Sequence, residues 1–271
     1  MLSVKKSLTS PSGIFSFRLP VTIAFYLCLM IIKICKDYST LCIGTSRIIV
    51  EYIQAKKYSL ICLASGHTPI GVFQELAREV SENKLDLSGC TFLSLDEWIG
   101  IDPDVKGSCL SMLKKDCFEP LHIQPHQIQF FDVQTIDLEK ECNRINTFIE
   151  QHGGLDIMLV GVGTNGHIGM NEPGTSFDTY AHVSTLAEET MQVGQKYFSK
   201  PTALSRGITL GLRHLREAKL PIVMASGEKK AAIIAQGLTQ APAENIPVSI
   251  AQLIPQGYVM LDEAAASQMH A

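Results

Sequence analysis

An α/β fold with one doubly wound, mostly parallel sheet and helices on both faces is predicted by three features of this 271-residue chain. Short apolar runs recur along it, and segments of helical periodicity alternate with them. Several runs empty into loops of glycine and small polar residues, the strand-to-helix turns of a layered α/β sheet. No internal repeat or low-complexity linker divides the chain, so residues 30–271 read as one domain. Composition agrees: 46% of residues are apolar and 18% charged, which marks a globular chain long enough for a sizeable core. The net charge of −4 has no basic excess and argues against a nucleic-acid groove.

Residues 1–29 differ in character from the rest of the chain. Lys5 and Lys6 precede a Ser/Pro/Gly-rich patch, and Leu19 to Ile32 then runs fourteen residues without a charge. That falls short of the roughly 18–20 apolar residues of a membrane span. It matches a signal-peptide core in length, yet no Ala-x-Ala-like cleavage site comes after it, and cleavage there would remove the first strand, Ile31 to Cys35. The favoured expectation is that Met30 is the natural start and residues 1–29 an upstream extension. No membrane association is expected for residues 30–271.

From Asp37 to Lys56 the spacing of Leu41, Ile48, Ile49 and Ile53 is helical, with Asp37 or Ser39 placed to cap it. Ser59 to Leu63 is a short strand that opens into Ala64-Ser65-Gly66-His67-Thr68-Pro69. A helix with Val72, Phe73, Leu76 and Val80 on one face comes next. Strand, small-residue loop and helix N-terminus form a geometry that receives a phosphate, because free amides and the helix dipole point at it. The same residues also read as an ordinary turn with Thr68 as cap and Pro69 as first helical residue.

Thr91 to Leu95 is a strand ending in Asp96-Glu97-Trp98, and a carboxylate there lies where α/β sheets bind ligands. Gly107 to Phe118 predicts a helix, Gln127 to Phe131 a strand, and Leu138 to Gln151 an amphipathic helix stopped by Gly153-Gly154. Leu155 to Val160 is a buried strand that opens into Gly161-Val-Gly-Thr-Asn-Gly-His-Ile-Gly-Met-Asn-Glu-Pro173. His167 and Glu172 in that loop suit an imidazole held by a carboxylate; a tight turn with an incidental histidine is the alternative.

His182 to Leu186 predicts a short strand, and Thr190 to Ser199 carries Lys196. Leu220 to Ala225 is a further strand, succeeded by Ser226-Gly227-Glu228-Lys229-Lys230 and a helix through Gly237. Val248 to Leu253 reads as a short helix and Tyr258 to Leu261 as the last strand. Eight cysteines lie scattered without a Cys-x-x-Cys pair, several inside apolar runs, so they read as small buried hydrophobes in a cytoplasmic protein. His122 and His126 are separated by Pro125 and read as loop residues, not metal ligands.

Ala64 to Pro69, Leu95-Asp-Glu-Trp98 and Gly161 to Pro173 together resemble the hexosamine-6-phosphate deaminase/isomerase family. Its fold is shared by glucosamine-6-phosphate deaminase and 6-phosphogluconolactonase. The resemblance runs from about Met30 to the C-terminal end, and the Asn171-Glu172-Pro173 ending is its most specific part. Asp96-Glu-Trp98, Gly107-Ser-Cys109, Asn171-Glu-Pro-Gly174 and Arg206 to Leu212 bring it closer to the galactosamine-6-phosphate type.

The resemblance implies conversion of a hexosamine 6-phosphate to a ketohexose 6-phosphate with release of ammonia, without metal or organic cofactor. His167 would move the proton that opens the sugar ring, oriented by Glu172, and Asp96 would carry a proton from carbon 2 to carbon 1. Ser65, Gly66, His67 and Thr68 would hold the phosphate. Lys230 falls on the family's phosphate lysine, and Lys196 where glucosamine-type members carry arginine, with Arg206 a second source of a guanidinium. Asn165 stands where those members usually carry aspartate. Loss of that charge lowers the proton affinity of His167 and leaves a relay role at position 165 in question.

A 6-phosphogluconolactonase-type ester hydrolase is the nearest alternative, but its loop lacks the Asn-Glu-Pro acid and its strand end reads Asp-Glu-Arg. A sugar-phosphate-sensing regulator would need a DNA-binding module that residues 1–36 are too short and apolar to supply. A small phosphosugar is the expected partner. Self-association into a homo-oligomer is compatible with the sequence, which does not specify it. Trp98 reads equally as a platform for the sugar and as core filler.

Overall fold

The computed structural model describes residues 15–17 and 30–269. Apart from Phe15–Phe17, the expectation for residues 1–29 lies outside the described residues. Strands β1 (Phe15–Phe17), β2 (Ile31–Cys35), β3 (Leu60–Leu63), β4 (Thr91–Ser94), β6 (Ile128–Gln129), β7 (Ile157–Gly161), β10 (Leu220–Ala225) and β11 (Tyr258–Asp262) form one sheet. Its order is β1-β2-β11-β10-β7-β3-β4-β6, parallel throughout except for β1, which runs antiparallel to β2. The expected doubly wound parallel sheet is therefore present.

Residue alternation along the strands divides the core. Leu60, Cys62, Met158, Val160 and Val223 belong to one apolar cluster, with Ile145 and Ile149 of α4 (Leu138–Gln151) and Ile234 and Leu238 of α7 (Ala231–Thr239). Their neighbours Ile61, Leu63, Ile157, Leu159 and Ile222 belong to the other, with Ile49 and Ile53 of α1 (Tyr38–Ala55) and Phe73 and Leu76 of α2 (Ile70–Ser81). Every residue of β3 and β10 is buried, as expected of parallel strands covered on both faces. Truncating Phe73 would cost about 3–5 kcal/mol.

Local signals set the helix starts. Asp37 accepts the Thr40 amide at 2.8 Å and caps α1, and Asp137 accepts that of Lys140 at 2.9 Å and caps α4. Thr68 does not cap α2. Pro69 holds the cap position without a side-chain bond, and the Tyr38 hydroxyl instead donates to the Thr68 carbonyl (3.0 Å) and accepts the Gly71 amide (2.9 Å). The helix expected over 107–118 is α3 (Cys109–Leu113) continued by a π-helical turn, Lys114–Phe118. The strand expected over 127–131 shrinks to β6.

A second, three-stranded antiparallel sheet lies outside the prediction. Strand β5 (Asp96–Trp98) pairs with β9 (Arg206–Thr209), which pairs with β8 (His182–Thr185). Asp96 faces Thr209 across the first pair and His182 faces Thr209 across the second. Two helices also escaped the sequence pattern, α6 (Leu212–Glu217) and α8 (Glu263–Ala266), both short enough that periodicity carries little signal.

At the N-terminal ends of the main strands, buried Asp156 accepts from Lys56 Nζ (2.5 Å), Leu60 N (2.9 Å), Lys219 Nζ (3.0 Å) and Tyr52 OH (3.2 Å). That network ties β3, β7 and β10 together at one end and leaves their C-terminal ends to open loops.

Candidate active site

Those three loops and strand β5 converge on a cavity of about 700 Å³. Ser65, Gly66, His67 and Thr68 line it from the end of β3, Asp96 from β5, Gly161 to Thr164 and His167 from the end of β7, and Ser226 to Lys230 from the end of β10. The remaining wall is α5 (Glu188–Gly194) and the turn after it, which bring Thr190, Lys196 and Tyr197. Segments up to 165 residues apart in sequence thus meet because their strands are neighbours in the sheet.

In the 65–68 loop Gly66 has φ of 95°, a left-handed conformation that favours glycine. Its side-chain position faces the Tyr197 hydroxyl, and the His67 ring stacks on Tyr197 with centroids 5.4 Å apart. Opposite, the 226–230 loop is held by Asp262 at the end of β11, a residue the sequence reading missed. Its carboxylate accepts the Gly227 amide at 3.0 and 3.1 Å, the Ala265 amide at 2.7 Å, and the Ser226 hydroxyl. Lys230 leaves this loop half-buried, and burial pulls its ammonium down, opposed by Glu189. Lys196 also lines the cavity, whereas Arg206 is exposed at the start of β9 and does not. Two ammonium groups and a small-residue loop of amides and hydroxyls among the lining residues suit the cavity to an oxyanion.

Asp96 is buried and lines the cavity. Burial pushes its carboxyl up to about 7; the Cys109 side chain beside it lowers it and the Glu97 charge raises it further. Glu97 serves the scaffold: its carboxylate accepts the amides of Trp98, Cys109 and Leu110, each at 2.9 Å, and so docks the start of α3 on β5. Trp98 is only 4% exposed and packs among Cys109, Met170, Leu186 and Leu204. It touches the cavity from within a small core of its own.

His167 also lines the cavity, against Gly163. A Cβ on Gly163 would lie 2.2 Å from His167 Cε1, so only glycine lets the ring lie there. The contact at hydrogen-bond distance to Nδ1 is the Thr190 hydroxyl, at 3.1 Å. Glu172 Oε2, expected to orient the ring, stands 3.8 Å from Nδ1. Burial lowers the imidazole's proton affinity, Glu172 raises it, Lys230 lowers it and Glu189 raises it.

Asn165 and Glu172 stand behind this histidine and do not line the cavity. Asn165 Nδ2 donates to Glu172 Oε2 (3.0 Å) while its Oδ1 accepts the His167 amide (3.1 Å). Glu172 is buried and its Oε1 has no hydrogen-bond partner among the described residues. Through these two bonds Asn165 links Glu172 to the backbone of His167. Seven cysteines (35, 42, 62, 90, 109, 117 and 142) are buried free thiols, and Cys28 lies outside the described residues. His122 lies in a turn and His126 in the 3-10 turn Pro125–Gln127 that leads into β6. Among the described residues no group of three or more His, Cys, Asp or Glu could hold a metal ion, and no helix is long and apolar enough to cross a membrane.

A buried carboxylate of raised proton affinity and a half-buried imidazole of lowered proton affinity, lining one cavity with Lys196 and Lys230, are equipped to move protons on a phosphorylated substrate. The model of the family described as glucosamine-6-phosphate isomerases/6-phosphogluconolactonase matches residues 39–259. The chain belongs to that family. Its members are enzymes, and the relatives sharpen the placement.

A glucosamine-6-phosphate deaminase of Bacillus velezensis is 36% identical over 235 residues, covering 86% of this chain and 97% of its own. Glucosamine-6-phosphate deaminase 2 of Bacillus subtilis is 34% identical over 244 residues, covering 89% and 98%. The solved structure of a monomeric glucosamine-6-phosphate deaminase superposes with a TM-score of 0.84 at 32% identity, covering 88% of this chain and 99% of that one. A 6-phosphogluconolactonase from Trypanosoma brucei, at 20% identity and a TM-score of 0.68, shares the fold. The protein is thus an enzyme of the deaminase/isomerase type.

Proposed function

We propose that the protein converts a hexosamine 6-phosphate and water to a ketohexose 6-phosphate and ammonia, in amino-sugar breakdown. The observation that carries this reading is the placement of Asp96 and His167 on one cavity that the 65–68 loop and Lys230 also line. In this reading the phosphate lies on Ser65, Gly66, His67 and Thr68, with Lys230 and Lys196 supplying charge. His167 takes the proton from the carbon-1 hydroxyl and delivers it to the ring oxygen, which opens the sugar. Asp96, as carboxylate, removes the carbon-2 proton to leave an enolamine, and returns the proton at carbon 1, which turns the enolamine into a ketimine. Water adds to the ketimine, and the amine departs as ammonia.

A single carboxylate suits both proton transfers because carbons 1 and 2 are adjacent on one face of the open chain. Its raised proton affinity, about 7, fits a group that must both take and return a proton near neutrality. Glu172 acts as an electrostatic partner of the imidazole, and Asn165 braces both.

Galactosamine 6-phosphate going to tagatose 6-phosphate is the finer assignment. Asn165, Lys196 and the motifs at 96–98, 107–109, 171–174 and 206–212 support it by their likeness to that branch. Glucosamine 6-phosphate going to fructose 6-phosphate is the second reading, favoured by relatives named glucosamine-6-phosphate deaminase at 31–36% identity. The buried free thiols support a cytoplasmic setting. Ammonia release measured on both epimers side by side tests the proposal. Turnover of either supports deamination, a clear preference assigns the epimer, and turnover of neither overturns the reading.

A further inference from the structure

Thr190 is 5% exposed and stands on α5, an element with no motif of its own. Its hydroxyl is 3.1 Å from His167 Nδ1, whereas Glu172 Oε2, at 3.8 Å, is beyond hydrogen-bond reach and already accepts from Asn165. Nε2 has no hydrogen-bond partner among the described residues. Beneath the ring lies Gly163, which offers no side chain to restrain it. The Thr190 hydroxyl is therefore the group within hydrogen-bond reach that fixes how the imidazole stands.

The charges around the ring indicate which nitrogen carries the proton. Glu172 lies on the Nδ1 side, and Glu189 and Lys230 act on the ring with opposite signs. A carboxylate near Nδ1 favours the proton there, and a hydroxyl can accept it. We infer that Thr190 is a positioning residue for the proton carrier: it accepts a hydrogen bond from Nδ1–H and so presents the Nε2 lone pair to the substrate. Burial lowers the imidazole's proton affinity, and Glu172 and Glu189 oppose that.

The same wall segment carries Lys196, and the Glu189 carboxylate next to Thr190 accepts from the Thr164 hydroxyl of the glycine loop. One segment thus supplies both a cation to the cavity and the group that aims the histidine.

This inference deepens the proposed function and rests on His167 having the role given there, so its test includes a readout that needs no turnover. In the full chain with ¹⁵N-labelled histidine and no substrate, His167 is assigned by loss of its signals in His167→Gln. Wild type and Thr190→Ser should show one neutral tautomer protonated at Nδ1. Thr190→Val, which keeps the shape without the oxygen, should show mixed tautomers, as should Thr190→Ala. In the ammonia assay Thr190→Val should lose about tenfold or more in kcat, with KM within about twofold, and Thr190→Ser should regain most of it. A wild-type tautomer in both Thr190→Val and Thr190→Ala, or a loss in Thr190→Ser as large as in Thr190→Val, would overturn the inference. A wild-type protein that turned over neither epimer would overturn the function, while the tautomer measurement would still decide the place of Thr190.

Discussion

Asn165 joins Glu172 to the backbone of His167: its Nδ2 donates to Glu172 Oε2 at 3.0 Å and its Oδ1 accepts the His167 amide at 3.1 Å. A neutral amide therefore does here what a carboxylate could not, because it donates to one neighbour and accepts from the other. The buried Glu172 carboxylate keeps a donor, and the imidazole in front of it is spared a further carboxylate at position 165.

Asn165→Asp should preserve the acceptor for the His167 amide but bring two carboxylates into contact. The added negative charge raises the proton affinity of the imidazole. The acid limb of kcat/KM should move to higher pH by about half a unit to one unit, with ammonia release kept within about tenfold of wild type. Folding stability should fall by roughly 1–2 kcal/mol. A complete loss of turnover in a folded protein would refute the bracing role.

Asp96→Asn should abolish ammonia release, by about a thousandfold or more. It should also stabilise the fold above neutrality. The Asp96 carboxyl is raised from 3.8 to about 7, so between those values the folded protein holds a proton that the unfolded chain has released. Stability consequently falls as pH rises through that window, and above about 7 the cost is full, up to about 4 kcal/mol. Urea midpoints should favour Asp96→Asn at pH 8 and converge with wild type near pH 4. For wild type, kcat/KM should rise with pH through about 7 as the base ionises. Equal urea midpoints of the two proteins at pH 8 would contradict the burial of that charge.

Glu97→Gln tests the clamp under the base. The carboxylate collects three backbone donors at 2.9 Å, and an amide of the same shape offers one oxygen and turns an N–H toward amide donors. Urea denaturation should report a loss of roughly 2–4 kcal/mol. Kinetics should show kcat falling more than KM rises, since β5 also carries Asp96 while the phosphate loop is built from β3.

Gly163→Ala should push the imidazole aside, because its new methyl group would sit 2.4 Å from Nδ1 and Nε2. The Thr190 contact breaks with it, so kcat should drop about tenfold or more while KM changes little. An unchanged circular dichroism spectrum would place the loss at the site, and a wild-type kcat would show that the ring does not need its place against Gly163.

Much of the site is legible because it is local. Asp96, the 65–68 loop and His167 each come directly after an apolar strand, and a parallel strand covered on both faces announces itself as an apolar run. Thr190, Tyr197 and Asp262 carry no such signal. Each is an ordinary residue in or beside an element that chemistry does not mark, and each matters through a partner 23 to 131 residues away.

The sequence by itself determined the alternation of strands and helices, the layered parallel-sheet fold, and the strand-end segments that carry Asp96 and His167. Those arise from periodicity and backbone preference, which act over a few residues. Only the tertiary structure decided that Asp96 enters a second, antiparallel sheet, that Thr190 rather than Glu172 lies within hydrogen-bond reach of His167 Nδ1, and that Glu97 clamps α3. Each of those depends on which strands and walls pack side by side, and non-local packing leaves no periodic trace in the chain.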